Sequence, residues 1–309
     1  GFDPKEIEII IVNNGSMDWQ DDKYNWDKPG DRGTVNYLYP RGAYWSRTLR
    51  VHNFAICGNH AARNRGARIA RGKYLFFSDA HMSYRPGTFK YGLETIEKIG
   101  GIVHCGIGWM GAYPPHEGGV GMQYTIKIGD GDFRGTWNNY RPWSDKPFYI
   151  PSQGHCSLFV NRKQFLDFGG YIEYHRTYGG GEVGLNFKYW LMGSTVVADP
   201  RCIGYHLACG RGYAYNHDDY IHNQFNVLWM LGADDFFERT YINNLRSGKK
   251  EVLDKIMIEA KREMQVELEF LASRAVTNIY DLLVDKPWDK LNMETGGAKN
   301  SSMLIYHYT

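Results

Sequence analysis

The chain of 309 residues carries 36 Lys and Arg against 34 Asp and Glu, a formal charge of +2, so no polyelectrolyte argument marks it as a nucleic-acid binder. With 43% hydrophobic residues it can bury a sizeable core, which excludes a largely disordered chain and leaves room for one large α/β domain with a small appendage. Its apolar residues never run on for the roughly 18 positions a membrane-spanning helix needs, and no secretory signal is visible.

In chain order, residues 6–12 read as a buried strand, followed by a polar loop rich in Asp and Gly over 13–34. Val35–Tyr39 is a second short strand. Asn53–Ala70 reads as a helix with Ala and Arg on separate faces, ending at Gly72. The apolar run Tyr74–Ser78 is a strand, and Gly100–Ile107 another. Residues 108–150, rich in Gly, Pro, Trp and Tyr, give hairpins and long loops, where an acceptor surface would sit because loops on a rigid scaffold carry specificity. A helix over 181–192, a strand over 195–198 and helices over 220–237 and 239–246 follow. From Lys249 to about Leu283 the composition shifts to a charged helix with an apolar stripe at Val252, Ile256, Ala260, Met264, Leu268 and Leu271. This divides the chain into residues 1–246 and a helical extension, 247–309, whose stripe packs on the main domain or on a partner.

Several features keep two readings. The basic clusters Arg41–Arg50 and Arg63–Lys73 are solvated helix faces or phosphate-facing edges. Nine Trp and 23 Tyr fit carbohydrate stacking, although ordinary core packing explains most of them. Cys57, Cys105, Cys156, Cys202 and Cys209 are odd in number and without framework spacing, which favours reduced thiols and a cytoplasmic setting. Cys202, His206 and Cys209 lack the second cysteine pair of a zinc knuckle.

The triplet Asp79-Ala80-His81 ends the apolar strand. Residues i and i+2 of an extended segment point to the same side, so a carboxylate and an imidazole converge there on a single ion. Around it stand Ile9-Ile-Ile-Val-Asn-Asn-Gly-Ser-Met-Asp18, Ala62-Arg-Asn-Arg-Gly-Ala67, Ala70-Arg-Gly-Lys73, Gly154-His-Cys-Ser-Leu-Phe-Val160 and Phe168-Gly-Gly-Tyr171. Further on come Gly180-Gly-Glu182, Trp190-Leu-Met-Gly193, Pro200-Arg-Cys-Ile-Gly-Tyr-His206, Asn223 and Val227-Leu-Trp-Met230. In this order, over most of residues 6–237, the chain resembles the GT-A nucleotide-sugar glycosyltransferases, and among them the polypeptide N-acetylgalactosaminyltransferases.

The resemblance implies an α/β fold of GT-A type, a Rossmann-like mixed sheet flanked by helices, with the charged helices as a C-terminal extension. It implies a metal held by Asp79, His81 and His206; His206 rests on the resemblance more than the other two do. Two imidazoles and one carboxylate favour Mn²⁺ over Mg²⁺, whose preference is all-oxygen. It further implies a UDP-sugar donor, with Asn13 and Asn14 at the base, Arg63 and Asp79 near the phosphates or sugar, and Gly154, His155, Gly180 and Gly181 lining the donor. Asn13 stands where the family has an acidic residue, and His155 where it has a second glycine.

Glu182 and Asp79 are the expected catalytic residues. Val183 replaces the family's Asn and cannot deprotonate an acceptor hydroxyl, which favours a retaining transfer. A covalent glycosyl-Glu182 intermediate is the less favoured route. The acceptor expected is a macromolecular hydroxyl, on protein or glycan. A phage or bacterial enzyme acting on hydroxymethylated DNA bases, in bacterial or host cytoplasm, is the alternative, and an inactive GT-A scaffold a rival of another class. The family's first strand has no counterpart ahead of residue 6, and the strand-like residues 303–308 are a candidate to fill that slot through a permuted order. The lectin module that follows many family members has no counterpart, and the charged helix offers a route to oligomers.

Overall fold

The computed structural model describes residues 6–14, 49–53, 58–110, 122–127, 132–137, 146–177, 179–207, 216–245 and 249–295. Strands β1 (Ile10–Asn14) and β2 (Leu49–Asn53) pair in parallel, with Ile10 opposite Leu49 and Asn14 opposite Asn53. Helix α1 (Asn59–Ile69) leads to β3 (Tyr74–Ser78) and β4 (Met82–Tyr84), then to α2 (Thr88–Ile99) and β5 (Ile102–Met110). A hairpin of β6 (Met122–Lys127) and β7 (Asp132–Trp137) precedes β8 (Phe148–Tyr149), β9 (Ser157–Asn161) and α3 (Arg162–Asp167). After α4 (Glu182–Leu191) and β10 (Val196–Leu207) come α5 (His217–Met230), α6 (Asp234–Leu245), α7 (Lys250–Ala272), α8 (Ile279–Asp285) and α9 (Pro287–Thr295).

The central sheet runs β3-β9-β5-β10-β4, with β8 against the first half of β10. It is mixed: β5 and β10 are parallel, while β9 is antiparallel to both β3 and β5. Strand β9 carries the apolar run Leu158–Val160, and Ile102, Val103, Leu158 and Val160 are fully buried, as expected of strands covered on both faces. The expected mixed sheet flanked by helices is therefore the one observed.

The elements differ from the sequence reading where long-range contacts decide. Strand β10 extends to Leu207, because Pro200 sits at a register shift between Asp199 and Ile203 instead of ending the strand. The Asp199 carboxylate accepts from the Arg201 backbone N–H and guanidinium there, satisfying the groups the irregularity frees. Helix α1 begins at Asn59, since Leu49–Asn53 are drawn into β2. Gly232, in the left-handed region at φ 64°, separates α5 from α6. Helix α7 ends at Ala272 and buries Leu253, Ile256, Ala260, Met264 and Leu271, while Val252 faces solvent. These residues belong to one core cluster with Leu185, Phe187, Phe225 and Leu228 of α4 and α5.

Val35–Tyr39 and residues 303–308 lie outside the described residues. Among those described, no helix is long and apolar enough to cross a membrane, and Cys105, Cys156 and Cys202 are free thiols. A cleft of about 860 Å³ lies between β1 and β3, lined by residues of both strands and of α1.

Candidate metal and donor site

Asp79 leaves the end of β3 with its N–H bonded to the Cys156 carbonyl (3.0 Å), which fixes the turn against the start of β9. The chain then reverses into β4, whose Met82 lies opposite His206 in the antiparallel pairing with β10, and the Leu207 N–H donates to the His81 carbonyl (3.0 Å). This register brings residues 81 and 206 together across 125 positions of sequence. Their rings sit 4.3 Å apart at 73°, and His206 Nε2 is 3.8 Å from Asp79 Oδ2. One ligand atom from each of Asp79, His81 and His206 lies within 4.8 Å of the other two. Ligands of a single divalent ion, each ~2.0–2.6 Å from it, are at most roughly 5 Å apart, so this donor set fits one ion without rearrangement. Burial and the neighbouring His81 lower the His206 pKa against the pull of Asp79, which keeps the imidazole in the neutral form that ligates metal.

Arg63 on α1 closes the other side. Its guanidinium donates to Asp79 Oδ1 (2.7 Å) and to the Tyr171 hydroxyl (3.4 Å), and lies over the Tyr171 ring at 5.6 Å. Asp79 is thus oriented by Arg63 through one oxygen while the other faces His206. Burial pushes the Tyr171 hydroxyl up to about 12, opposed by Arg63, so it stays a neutral acceptor for the guanidinium. Glu182 adds its field to that of Asp79 on Arg63.

Glu182 opens α4 directly after two glycines whose absence of a side chain is required by packing. A Cβ on Gly180 would stand 2.7 Å from the Tyr220 carbonyl, and one on Gly181 1.9 Å from the His175 ring. Asn223 of α5 accepts from the Arg176 N–H and donates to the Arg176 and Gly179 carbonyls, each at 2.8 Å, pinning the loop that delivers Glu182.

Gly154 and His155 lie buried in the turn before β9. The His155 ring, 2% exposed, packs on Tyr171 (5.2 Å) and stacks on His104 (5.9 Å), so it fills the interior behind the site. Asn13 and Asn14 end β1 opposite His52 and Asn53. The structure therefore brings together Asp79, His81, His206 and Arg63, with Glu182 in their field.

Sequence reasoning did not find the buried imidazoles behind them. His60 Nδ1 and His175 Nδ1 are 2.6 Å apart, His60 stacks on Tyr171 at 4.7 Å, and His104 Nε2 meets Asn186 Oδ1 at 3.0 Å. Burial pushes His175 down to about 3 and His104 to about 4. No local signal announces a contact between residues 60 and 175.

Residues 50–146 match the family model "Glycosyl transferase family 2". Polypeptide N-acetylgalactosaminyltransferase 3 of Drosophila melanogaster is 28% identical over 45% of this chain and 22% of its own length. Putative polypeptide N-acetylgalactosaminyltransferase 13 of the same organism is 24% identical over 62% of this chain and 34% of its own. The chain thus spans between a fifth and about a third of these curated relatives. The crystal structure of GalNAc-T7 with UDP, GalNAc and Mn²⁺ superposes with a TM-score of 0.62, covering 90% of this chain and 51% of that one at 16% identity. The fold is that of the GT-A glycosyltransferases, and residues 50–146 match a glycosyltransferase family. Within that class the chain resembles the polypeptide N-acetylgalactosaminyltransferases, as its motifs imply.

Proposed function

We propose that the protein is a Mn²⁺-dependent retaining glycosyltransferase that moves a sugar from a UDP-sugar to a hydroxyl of a macromolecule, protein or glycan. The convergence of Asp79, His81 and His206 on one ion-sized space carries this reading. A bound divalent ion there supplies charge neutralisation for a departing diphosphate. Two imidazoles and a carboxylate suit Mn²⁺, and the similar GalNAc-T7 structure contains Mn²⁺ and UDP.

The chain's own residues supply the rest. Arg63 fixes Asp79 in the ligating orientation and adds a guanidinium for a phosphate or sugar oxygen. Asn13 and Asn14, the last residues of β1, are the ones assigned to the base. Glu182 orients a donor or acceptor hydroxyl at the start of α4. Val183, which follows it, is buried in the core and cannot serve as base, so the acceptor proton passes to a departing phosphate oxygen on the same face. Gly154, His155, Gly180 and Gly181 shape the donor pocket from below, where His155 fills the interior that a glycine would leave open.

A panel of UDP-sugars assayed for hydrolysis without acceptor, with and without Mn²⁺, tests this. Asp79→Asn and His206→Ala should each weaken Mn²⁺ binding by at least about 100-fold and abolish hydrolysis, and the transferred sugar should keep its anomeric configuration. Unchanged Mn²⁺ binding and hydrolysis in both variants would leave the scaffold reading standing instead.

A further inference from the structure

Arg63 and Glu182 come from different elements, so their separation depends on how α1 docks against the loop that leads to α4. That docking is polar. His60 and Asn64 stand four residues apart on the buried face of α1. Asn64 donates to the Tyr171 carbonyl (2.8 Å) and accepts from the Tyr171 N–H (2.9 Å). One turn nearer the helix start, the His60 ring stacks on that of Tyr171 (4.7 Å), and its Nδ1 meets His175 Nδ1 at 2.6 Å. Residues 171–175 are thus tied to α1 at both ends.

His175 is also wedged between the starts of two helices. Gly58 is the N-cap of α1 and Gly181 the N-cap of α4. A Cβ on Gly58 would stand 1.8 Å from the His175 carbonyl oxygen, and one on Gly181 1.9 Å from the His175 ring and 2.8 Å from that of His60. The backbones of both glycines, at φ −58° and −109°, suit any residue. What demands glycine at these caps is therefore the close approach of His175, and in α4 the capped residue is Glu182 itself.

We infer that His60 and His175 are positioning residues for the transfer: their hydrogen-bonded pair sets the distance at which α4 presents Glu182 to Arg63 and Asp79. The inference rests on the donor-site reading given above, in which neither imidazole is a ligand or touches the sugar. Burial lowers the pKa of both rings, so at neutral pH the pair is uncharged and one Nδ1–H donates to the other Nδ1. Asn223 ties the same loop to α5; His175 ties it to the helix that carries Arg63.

Donor hydrolysis and hydrogen exchange on the full chain test this together. His60→Leu withdraws the Nδ1 and keeps an apolar side chain against Tyr171. His60→Asn returns a polar atom close to the Nδ1 position, able to accept or donate, and gives up the packing. His60→Leu should lower kcat about 10–100-fold, with KM for the UDP-sugar and Mn²⁺ affinity within about twofold of the parent. It should also speed exchange at residues 179–184 roughly fivefold while β5 and β9 keep their rates. His60→Asn should recover most of kcat although it resists urea no better than His60→Leu. His60→Gln, whose amide reaches toward the Nε2 position instead, should behave as His60→Leu and takes its place if that variant does not fold. A kcat that follows stability, with His60→Asn the slowest, would overturn the inference and leave the pair a packing role. Unchanged exchange at 179–184 in both His60→Leu and His60→Gln would overturn it as well, whatever the activity. A parent that hydrolyses no UDP-sugar would strike the donor reading instead, and the exchange result would then decide by itself whether the pair places Glu182.

Discussion

Acidification should unfold this protein through its interior histidines before its carboxylates titrate. His175 and His104 are fully enclosed, and burial lowers them to about 3 and about 4, against about 6.5 in an unfolded chain. Their folded-state values are depressed, so the stability they contribute is present above pH 6.5 and is lost as pH falls below it. Each costs ~1.4 kcal/mol per pH unit in that window, or about 2 kcal/mol at pH 5. The two together then remove ~4 kcal/mol from a domain stability of about 5–15 kcal/mol. His60 and His155 are shifted the same way, burial again being the largest cause. The His60–His175 contact at 2.6 Å needs one unprotonated Nδ1, so charging both rings breaks it. Urea unfolding followed by Trp fluorescence at pH 7.5, 6 and 5 should show a midpoint falling increasingly steeply below pH 6.5. His175→Asn should be less stable than the parent at pH 7.5 yet lose about 2 kcal/mol less between pH 6.5 and 5. A parent whose stability is flat from pH 7 to 5, or a His175→Asn variant with an unchanged pH slope, would refute the argument.

Gly181→Ala places a methyl 1.9 Å from the His175 ring and 2.8 Å from that of His60; it should cost about 1–3 kcal/mol in urea unfolding and lower donor hydrolysis while leaving Mn²⁺ binding intact. Lys188, 1% exposed, donates to Glu267 (3.3 Å) and to the Gly170 carbonyl (3.1 Å). Glu267→Leu alone should cost about 3 kcal/mol by leaving a buried ammonium uncompensated, and the double variant with Lys188→Met should recover most of that loss.

How much was legible in the sequence follows from how local each signal is. Asp79 and His81 could be paired because two positions along an extended end suffice to aim both side chains at one ion. His206 could not be reached that way, since its place depends on the register of β4 against β10, and only the likeness to a family of known motifs supplied it. The strand expected over 195–198 continues through Pro200 to Leu207, where the Asp199 carboxylate, accepting from Arg201, absorbs the interruption. Helix α2, over Thr88–Ile99, is absent from the sequence reading, and it carries a glycine, Gly92, at its centre. The glycine is there because a Cβ would stand 2.3 Å from the Phe159 ring, a contact invisible in sequence. The same holds for Gly180 and Gly181. Their donor-site role was inferred from resemblance, whereas their packing against Tyr220 and His175 gives a separate physical reason for glycine.

Helix α7 shows how a charged stretch can bear on a distant site. Its glutamates at 259, 263 and 267 recur every four residues and so lie along one face. They meet Arg176 (2.9 Å), His222 (2.8 Å) and Lys188 (3.3 Å) respectively. Arg176 begins the loop that Asn223 pins and that ends at Glu182, so α7 and α5 grip that loop from two sides. Arg176 and Glu259 keep 35% and 22% of their side-chain surface, so solvent screening limits their pairing to about 0.5–1 kcal/mol of stability. Positioning is the larger effect if the grip matters, because a misplaced Glu182 costs rate without costing fold. Glu259→Gln should therefore shift urea unfolding by less than about 1 kcal/mol, lower kcat for donor hydrolysis several-fold with Mn²⁺ binding unchanged, and speed amide exchange over residues 176–181. Arg176→Lys, which keeps the charge but loses the fork, should fall between Glu259→Gln and the parent. If kcat and loop exchange stay at parental values in Glu259→Gln, the acidic face of α7 contributes packing and solubility alone, and the loop owes its placement to Asn223.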